Sequence, residues 1–422
     1  MTARLHAERV REETGVCAAA AIDGAVPRWV VTPVSLEEMA AVVALAYDER
    51  LAVAVRGAGS ALELGRPPSR LDVVVDLQRL DRILEYEPDD LTVTVQAGVT
   101  AGALAQRLAA HRQLLPVDPC GWAARTVGGL AATHASGPLR ARYGTMRDLL
   151  LGVRFVQADG VVTWGGAKVV KSVTGYDVPK LMTGALGTLG VLGELTLRLH
   201  PLPEFEGTWL LAFRSPAAAQ ECVSRLVDST VQPSRVELLN ERAVAACGLP
   251  RAAAAVALSV ATVEPAVRSQ QAVMASIAQR AGGTVQTMGA TFWRTYDRAL
   301  ADAPGVRLRV AALVSRLAET VRQISEALTP APLIAGAATA GVLRAVVAAG
   351  DVEATGRGIE RLRAMVAEGG GSVVIERGPR ALRVAVDPWG PVPEPELAIM
   401  RALKHEFDPR GVLNPGRFVG GI

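Results

Sequence analysis

Leu51-Ala52-Val53-Ala54-Val55-Arg56-Gly57-Ala58-Gly59-Ser60 joins an uninterrupted apolar run to a turn almost bare of side chains. Five apolar residues bounded by glycine predict a buried strand. Glycine admits positive φ and close approach, so successive N–H groups from Arg56 to Ser60 can converge on an anion such as a diphosphate, with Arg56 adding charge and Ser60 a hydroxyl. The same residues also describe an ordinary tight turn, and they match neither a Walker loop nor a G-x-G-x-x-G fingerprint. The neighbouring sequence has to decide.

Upstream, Val30-Val31-Thr32-Pro33 reads as a short edge strand, and Ser35-Leu36-Glu37-Glu38 has the capping-box spacing that opens a helix running to about Arg50. Downstream, strands are expected at Leu71 to Leu77 and Leu91 to Gln96, giving a βαββ-like unit with mixed pairing. A helix is expected over Thr100 to Gln113 and a loop system over Pro116 to Ser136. Strands return at Leu150 to Gln157, Val161 to Trp164 and Glu194 to Leu199, before Pro201 and Pro203 close the region.

Two more bare stretches follow the first. Thr126-Val127-Gly128-Gly129-Leu130-Ala131-Ala132-Thr133-His134-Ala135-Ser136-Gly137 suits either a surface against which a cofactor lies or close helix–strand packing. Gly184, Gly187 and Gly190 recur every third residue, which a plain loop before Glu194 explains equally well. From Gly207 to Val386, strands such as Trp209 to Phe213, Ala253 to Val260, Arg307 to Leu313 and Val373 to Ile375 alternate with amphipathic helices such as Pro216 to Val227. That pattern predicts an α+β domain with an antiparallel sheet and shows no catalytic signature.

Composition narrows the classes. The 422 residues exceed one compact core, and 45 basic against 42 acidic residues give +3, too even for a polyanionic partner such as nucleic acid. Cys17, Cys120, Cys222 and Cys247 are far apart and form no metal-ligand spacing, so no metal site is expected. The charged N-terminus and the lack of a long apolar stretch lead us to expect no secretory signal, no membrane span and a cytoplasmic location.

In combination, the loop Arg56 to Ser60, the stretch Thr126 to Gly137 with Tyr143-Gly144-Thr145-Met146-Arg147-Asp148, and Gly187-Thr188-Leu189-Gly190-Val191 resemble the FAD-binding domain of the vanillyl-alcohol oxidase superfamily, the p-cresol methylhydroxylase (PCMH) type. A closer resemblance is to the FAD-binding subunit of glycolate oxidase. It is carried by Lys171-Ser172-Val173-Thr174-Gly175-Tyr176-Asp177 and by Phe407-Asp408-Pro409-Arg410-Gly411-Val412-Leu413-Asn414-Pro415-Gly416-Arg417-Phe418.

The resemblance implies an α+β fold: an extension over 1–27, a two-subdomain PCMH-type FAD-binding domain over 28–203, an α+β cap with antiparallel sheet over 204–394, and a segment over 395–422 returning to the FAD domain. It implies cofactor contacts from Arg56, Gly57, Ala58, Gly59, Ser60, Asp118, Pro119, Thr126, Gly128, Gly129, Ala132, Thr133, Ser136, Gly137, Gly144, Asp148, Gly187, Gly190 and Val191. Relatives with covalent flavin place a histidine in the first loop, and Gly57 to Leu62 contains none, so the FAD is expected to be non-covalent.

The implied partners are a catalytic FAD-linked 2-hydroxy-acid dehydrogenase subunit and an iron–sulfur subunit, a complex that allows peripheral association with the cytoplasmic membrane. Oxidising a hydroxy acid needs a base for the hydroxyl proton and a positive group or metal for the carboxylate. Catalytic relatives supply these from histidines in the second half. Here no histidine lies between His200 and His405, so the catalytic residues stay unassigned. Two alternatives stand beside the electron-transfer subunit. One is a self-sufficient oxidase using Tyr, Lys or Arg between the two domains; the other is a scaffold with a vestigial flavin site.

Overall fold

The computed structural model describes residues 9–168 and 175–422. Its first long helix begins where the capping spacing places it. Ser35 Oγ accepts from Glu38 N at 3.2 Å, and Glu38 Oε2 accepts from Val34 N at 3.0 Å, so donors at the helix start are satisfied. The helix Leu36–Asp48 buries Leu36, Met39, Val42, Val43 and Ala46, one face of a 3.6-residue period, in the same core as Val31, Val53, Val73 and Val75.

Strands Trp29–Val31 and Val53–Arg56 flank Val73–Asp76, and both run parallel to it. The strand expected at the sheet edge is therefore interior: Val10–Arg11 pairs antiparallel on its outer side, and Val30 and Val31 are buried. Thr92–Gln96 leaves this sheet for a second, antiparallel one. That sheet has the order Ile83–Glu87, Thr92–Gln96, Val191–Arg198, Leu150–Val156, Val162–Gly166.

After Pro203 the chain builds an eight-stranded antiparallel sheet. Its order is Thr284–Thr287, Phe205–Phe213, Ala254–Thr262, Arg235–Asn240, Leu333–Ala337, Val342–Val347, Val306–Ala311, Ser372–Arg377. Side chains alternate along each strand, so Val306, Leu308 and Val310 enter a core shared with the helices Pro216–Val227, Glu264–Arg280, Leu317–Ala327 and Val352–Ala367. The intervening Arg307 and Arg309 face the other way.

The tail returns after the helix Glu394–Phe407. Val53 N donates to Val412 O at 2.8 Å and Asn414 N to Val53 O at 2.7 Å, while Val412 and Leu413 are buried in the first core. The two halves are further tied by a buried, bidentate Arg383–Asp23 ion pair, by Arg235 with Asp118 at 3.3 Å, and by Arg344 donating to Ser136 O at 3.0 Å.

Candidate functional site

The strand Val53–Arg56 delivers its glycine turn against the second bare stretch, because Gly57 has no Cβ to displace the Thr126 hydroxyl. That hydroxyl accepts from Gly129 N at 3.2 Å and caps a six-residue helix, Val127–Ala132, within what the sequence suggests is loop. Small residues still allow a helix when its neighbour is backbone. A Cβ on Gly128 would stand 2.8 Å from the carbonyl oxygen of Ala97, to which Gly128 N donates at 2.9 Å. On the third side, Gly187 takes φ +69°, and a Cβ there would meet Asn414 Nδ2 at 2.9 Å.

These turns enclose a cleft of about 820 Å³ lined by Arg56, Gly57, Ala58, Gly59, Ser60, Thr126, Gly128, Gly129, Ala132, Thr133, Gly187, Gly190 and Val191. The N–H groups of Ala58, Gly59 and Ser60 have no backbone acceptor among the described residues. Arg56 is not free to supply charge, since its guanidinium is held on Asp76 Oδ2 at 2.5 and 3.1 Å. Recognition by this first turn thus falls to main chain and hydroxyls.

The remaining predicted contacts lie elsewhere. Pro119 and Ser136 line a larger adjoining hollow. Gly144 and Asp148 line neither cavity: Asp148 Oδ2 accepts from Thr145 N at 2.7 Å to close a helix cap, and Gly144, at φ +77°, gives that carboxylate room. Asp118 also lines neither; it accepts from Leu139 N at 2.9 Å and pairs with Arg235. Burial pushes its carboxyl up to about 6 against that arginine's pull. Gly137 packs on the Asp118 carbonyl.

Two polar cleft residues were missed by reading the sequence. Asn414 and Arg417, from the returning tail, both line the cleft, and Asn414 Oδ1 and Arg417 Nε are buried with no partner among the described residues. Buried polar atoms are nearly always paired, so these orphans fit a bound ligand with polar edges. Asn414 Nδ2 donates to Leu186 O at 2.7 Å, fixing the third turn, and the other Arg417 nitrogens hold Leu62 O and Leu64 O. The polar pair embedded in a tail rich in Pro and Gly was the available signal.

Across the turn from Gly59 to Leu62 opens the larger hollow, about 2090 Å³, between the two halves. Its walls carry Arg125, Arg307, Arg309, Arg344 and Arg377, which sequence reading passed over because they sit on separate strands. His134 lines it too, with Nε2 2.9 Å from Thr145 Oγ1; burial and the nearby Arg309, Arg140 and Arg147 hold its pKa below the usual histidine value, favouring the neutral ring. Cys120 is a half-buried thiol whose pKa burial raises. Behind this wall, Glu237 is 2% exposed and accepts from the Tyr296 hydroxyl at 2.5 Å; burial pushes its carboxyl up to about 7.

The neighbouring basic side chains and histidines are engaged away from the cleft. Lys168 pairs with Glu85 and Lys180 with Asp177, both exposed, and Lys171 lies outside the described residues. Arg142 donates to Gln232 O, His111 stacks edge-on with Tyr86, and His200 does so with Tyr143. Among the described residues no group of three His, Cys, Asp or Glu could hold a metal, and no helix is long and apolar enough to cross a membrane.

Comparison with known proteins agrees with this architecture. Residues 27–166 match the FAD binding domain model, and residues 202–376 and 389–418 match the C-terminal domain of FAD linked oxidases. The chain is 27% identical to glycolate oxidase subunit GlcD of Bacillus subtilis, over 93% of this chain and 88% of that one. It is 34% identical to a probable mitochondrial D-lactate dehydrogenase of Danio rerio over 52% of this chain, which spans 45% of that protein. Substrate-bound p-cresol methylhydroxylase superposes with a TM-score of 0.80 at 17% identity, covering 99% of this chain and 95% of that one, which establishes the PCMH-type fold. An FAD binding domain followed by the oxidase C-terminal domain, on this fold and with FAD as cofactor, makes the chain a member of the FAD-linked oxidase family.

Proposed function

We propose that this chain is the FAD-binding subunit of a glycolate oxidase-type 2-hydroxy-acid dehydrogenase, taking electrons from a catalytic flavoprotein partner and passing them toward an iron–sulfur subunit. FAD, when bound, supplies the two-electron chemistry. The chain's own residues hold it: the N–H groups of Ala58, Gly59 and Ser60 face the diphosphate, the turns at Thr126 to Thr133 and Gly187 to Val191 form the walls, and Asn414 and Arg417 offer their unpaired atoms. The first turn carries no histidine, so the attachment is non-covalent.

The observation that carries the assignment to a partner-served subunit is that, among the described residues lining the hollow, the histidine and every carboxylate but the exposed Glu63 already have a partner. On the hollow's wall Glu376 is paired with Arg344 at 3.2 Å, Asp23 with Arg383, and His134 with Thr145. Of the wall's carboxylates that leaves Glu63, exposed to solvent, as the acceptor open to a hydroxyl proton. An edge strand, Val162–Gly166, with Trp164 72% exposed and Tyr176 95% exposed nearby in sequence, supports a surface for a partner.

A second reading, a self-contained oxidase of a small hydroxy acid, is favoured by one feature, the arginines facing the flavin cleft. Purifying the chain alone separates the two. The subunit reading expects yellow protein that dithionite bleaches anaerobically and glycolate bleaches only after the catalytic partner is added. Bleaching by glycolate or D-lactate without a partner overturns it in favour of the second reading.

A further inference from the structure

The arginine wall is costly as built. In the sheet register Arg309 stands directly opposite Arg344, and Arg307 directly opposite Arg377, so two like-charged cross-strand pairs occupy adjacent ladders. Like charges directly opposite one another destabilise a sheet, and partial burial weakens the screening that would relieve them. Their other bonds do not cancel the charge. Arg307 donates to Leu300 O at 2.5 Å, Arg377 to Ala303 O at 2.5 Å, and Arg125 to Thr133 Oγ1 at 3.3 Å, all neutral acceptors. Arg309 makes no hydrogen bond or salt bridge among the described residues, and Arg125 Nε is buried and unpaired.

Acidic groups on the same wall are fewer and mostly engaged. Asp23 is held by Arg383 and Glu376 by Arg344; Glu63 is exposed. Setting aside those two pairs leaves Arg125, Arg307, Arg309 and Arg377 against Glu63, four positive charges and one negative. His134, held neutral, adds none. A monoanion leaves most of that excess in place, whereas a dianion removes the larger part of it. The charge also sits on both sides of the hollow, Arg125 on the first half of the chain and the other three on the sheet of the second, so a ligand with a charge at each end matches it better than a compact ion. Arginine's planar fork suits carboxylate.

We infer that the hollow between the two halves is a binding site for a short dicarboxylate, held between Arg125 and the strand arginines Arg307, Arg309 and Arg377 in front of the flavin cleft. The inference rests on the functional reading only for the presence of FAD next door, and it does not require that the ligand be oxidised in this chain.

Titration calorimetry on the FAD-loaded chain at low salt, with succinate, glycolate and inorganic phosphate as probes, tests it. Succinate is expected to bind saturably with one site per chain, at least tenfold more tightly than glycolate or phosphate, and to perturb the flavin absorption band. Arg309→Gln is expected to weaken succinate at least tenfold, with partial recovery in Arg309→Lys; thermal melting of each variant confirms that it is folded. No saturable heat at millimolar succinate, equal affinity for glycolate or phosphate, or an unchanged affinity in a folded Arg309→Gln each overturns the site. Protein purified without FAD tells against the cofactor assignment alone, since the heats report the hollow directly.

Discussion

On one side of the turn from Gly59 to Leu62 the walls are glycine, alanine and threonine from three separated turns; on the other they are arginines from three neighbouring strands and from the loop at Arg125. The first cleft recognises mostly through main chain and shape, with Asn414 and Arg417 from the tail adding polar side-chain atoms. Its one arginine in the opening turn is neutralised by Asp76. The second recognises through side-chain charge, on strands whose backbones are fully engaged in a ladder. The contrast teaches that the two sites should fail differently: the first through added carbon atoms, the second through lost charge.

The largest effect is expected where a side chain has nowhere to go. Gly128→Val drives its side chain into the Ala97 carbonyl across a helix–strand contact and should cost about 3 kcal/mol or more of stability, with FAD content falling toward zero. Flavin absorbance per chain and a denaturant midpoint measure both. Stoichiometric FAD in this variant would mean that the second turn is not a wall of the cleft.

Glu237 separates the sites by pH. Its carboxyl titrates near 7 in the folded chain because burial opposes its charge, whereas in the unfolded chain it titrates near the ordinary value of 4.5. The folded state therefore holds a proton that the unfolded state has lost, and stability contributed by this group is present below pH 4.5 and drains away as pH rises through 7. Full expression of such a shift is on the order of 3 kcal/mol. Glu237→Gln, which cannot ionise, should flatten the fall in stability between pH 5 and pH 8 while leaving FAD content intact. An unaltered pH profile would place the titration elsewhere.

Asn414 comes next. It holds Leu186 O, and its backbone sits at φ +45°, a conformation asparagine tolerates better than alanine. Asn414→Ala should cost about 1–2 kcal/mol and speed FAD release, read by gel filtration of the holoprotein. Gln113→Ala, which loses bonds to Tyr86 and Pro88 far from either cleft, serves as a comparison of similar structural cost, with FAD release unchanged.

The first cleft was legible in the sequence and the second was not, for a physical reason. Main-chain recognition requires runs of residues with little or no side chain, and such runs are contiguous: Arg56 to Ser60, Thr126 to Gly137 and Gly184 to Val191 can each be read in one glance. The fold followed in the same way from Ser35, from the apolar run at Leu51 and from the alternation after Gly207. Side-chain recognition on a sheet draws one residue in two from strands far apart in sequence. Arg307 and Arg309 alternate with core valines and leucine, and what gives them meaning is Arg344 and Arg377, which only strand pairing sets opposite them. Asp148 shows the converse: a polar residue beside a glycine turn reads as a ligand contact until the cap it closes is seen.

The smallest expected effect has the opposite sign from the rest. Arg309→Gln removes one of two like charges facing each other across a ladder, and because Arg309 makes no salt bridge among the described residues, what is lost besides is its longer-range pull on Glu376, which Arg344 already holds at 3.2 Å. The ligand-free chain should gain about 0.5 kcal/mol, a gain that shrinks as salt screens the repulsion. Melting the variant and the parent at 20 mM and 500 mM salt, with and without succinate, resolves it: the variant melts higher only without ligand and at low salt, and the parent overtakes it when succinate is present. A variant less stable than the parent under every condition would show that the arginines stabilise the fold itself, and the contrast between a backbone site and a charge site would lose its second half.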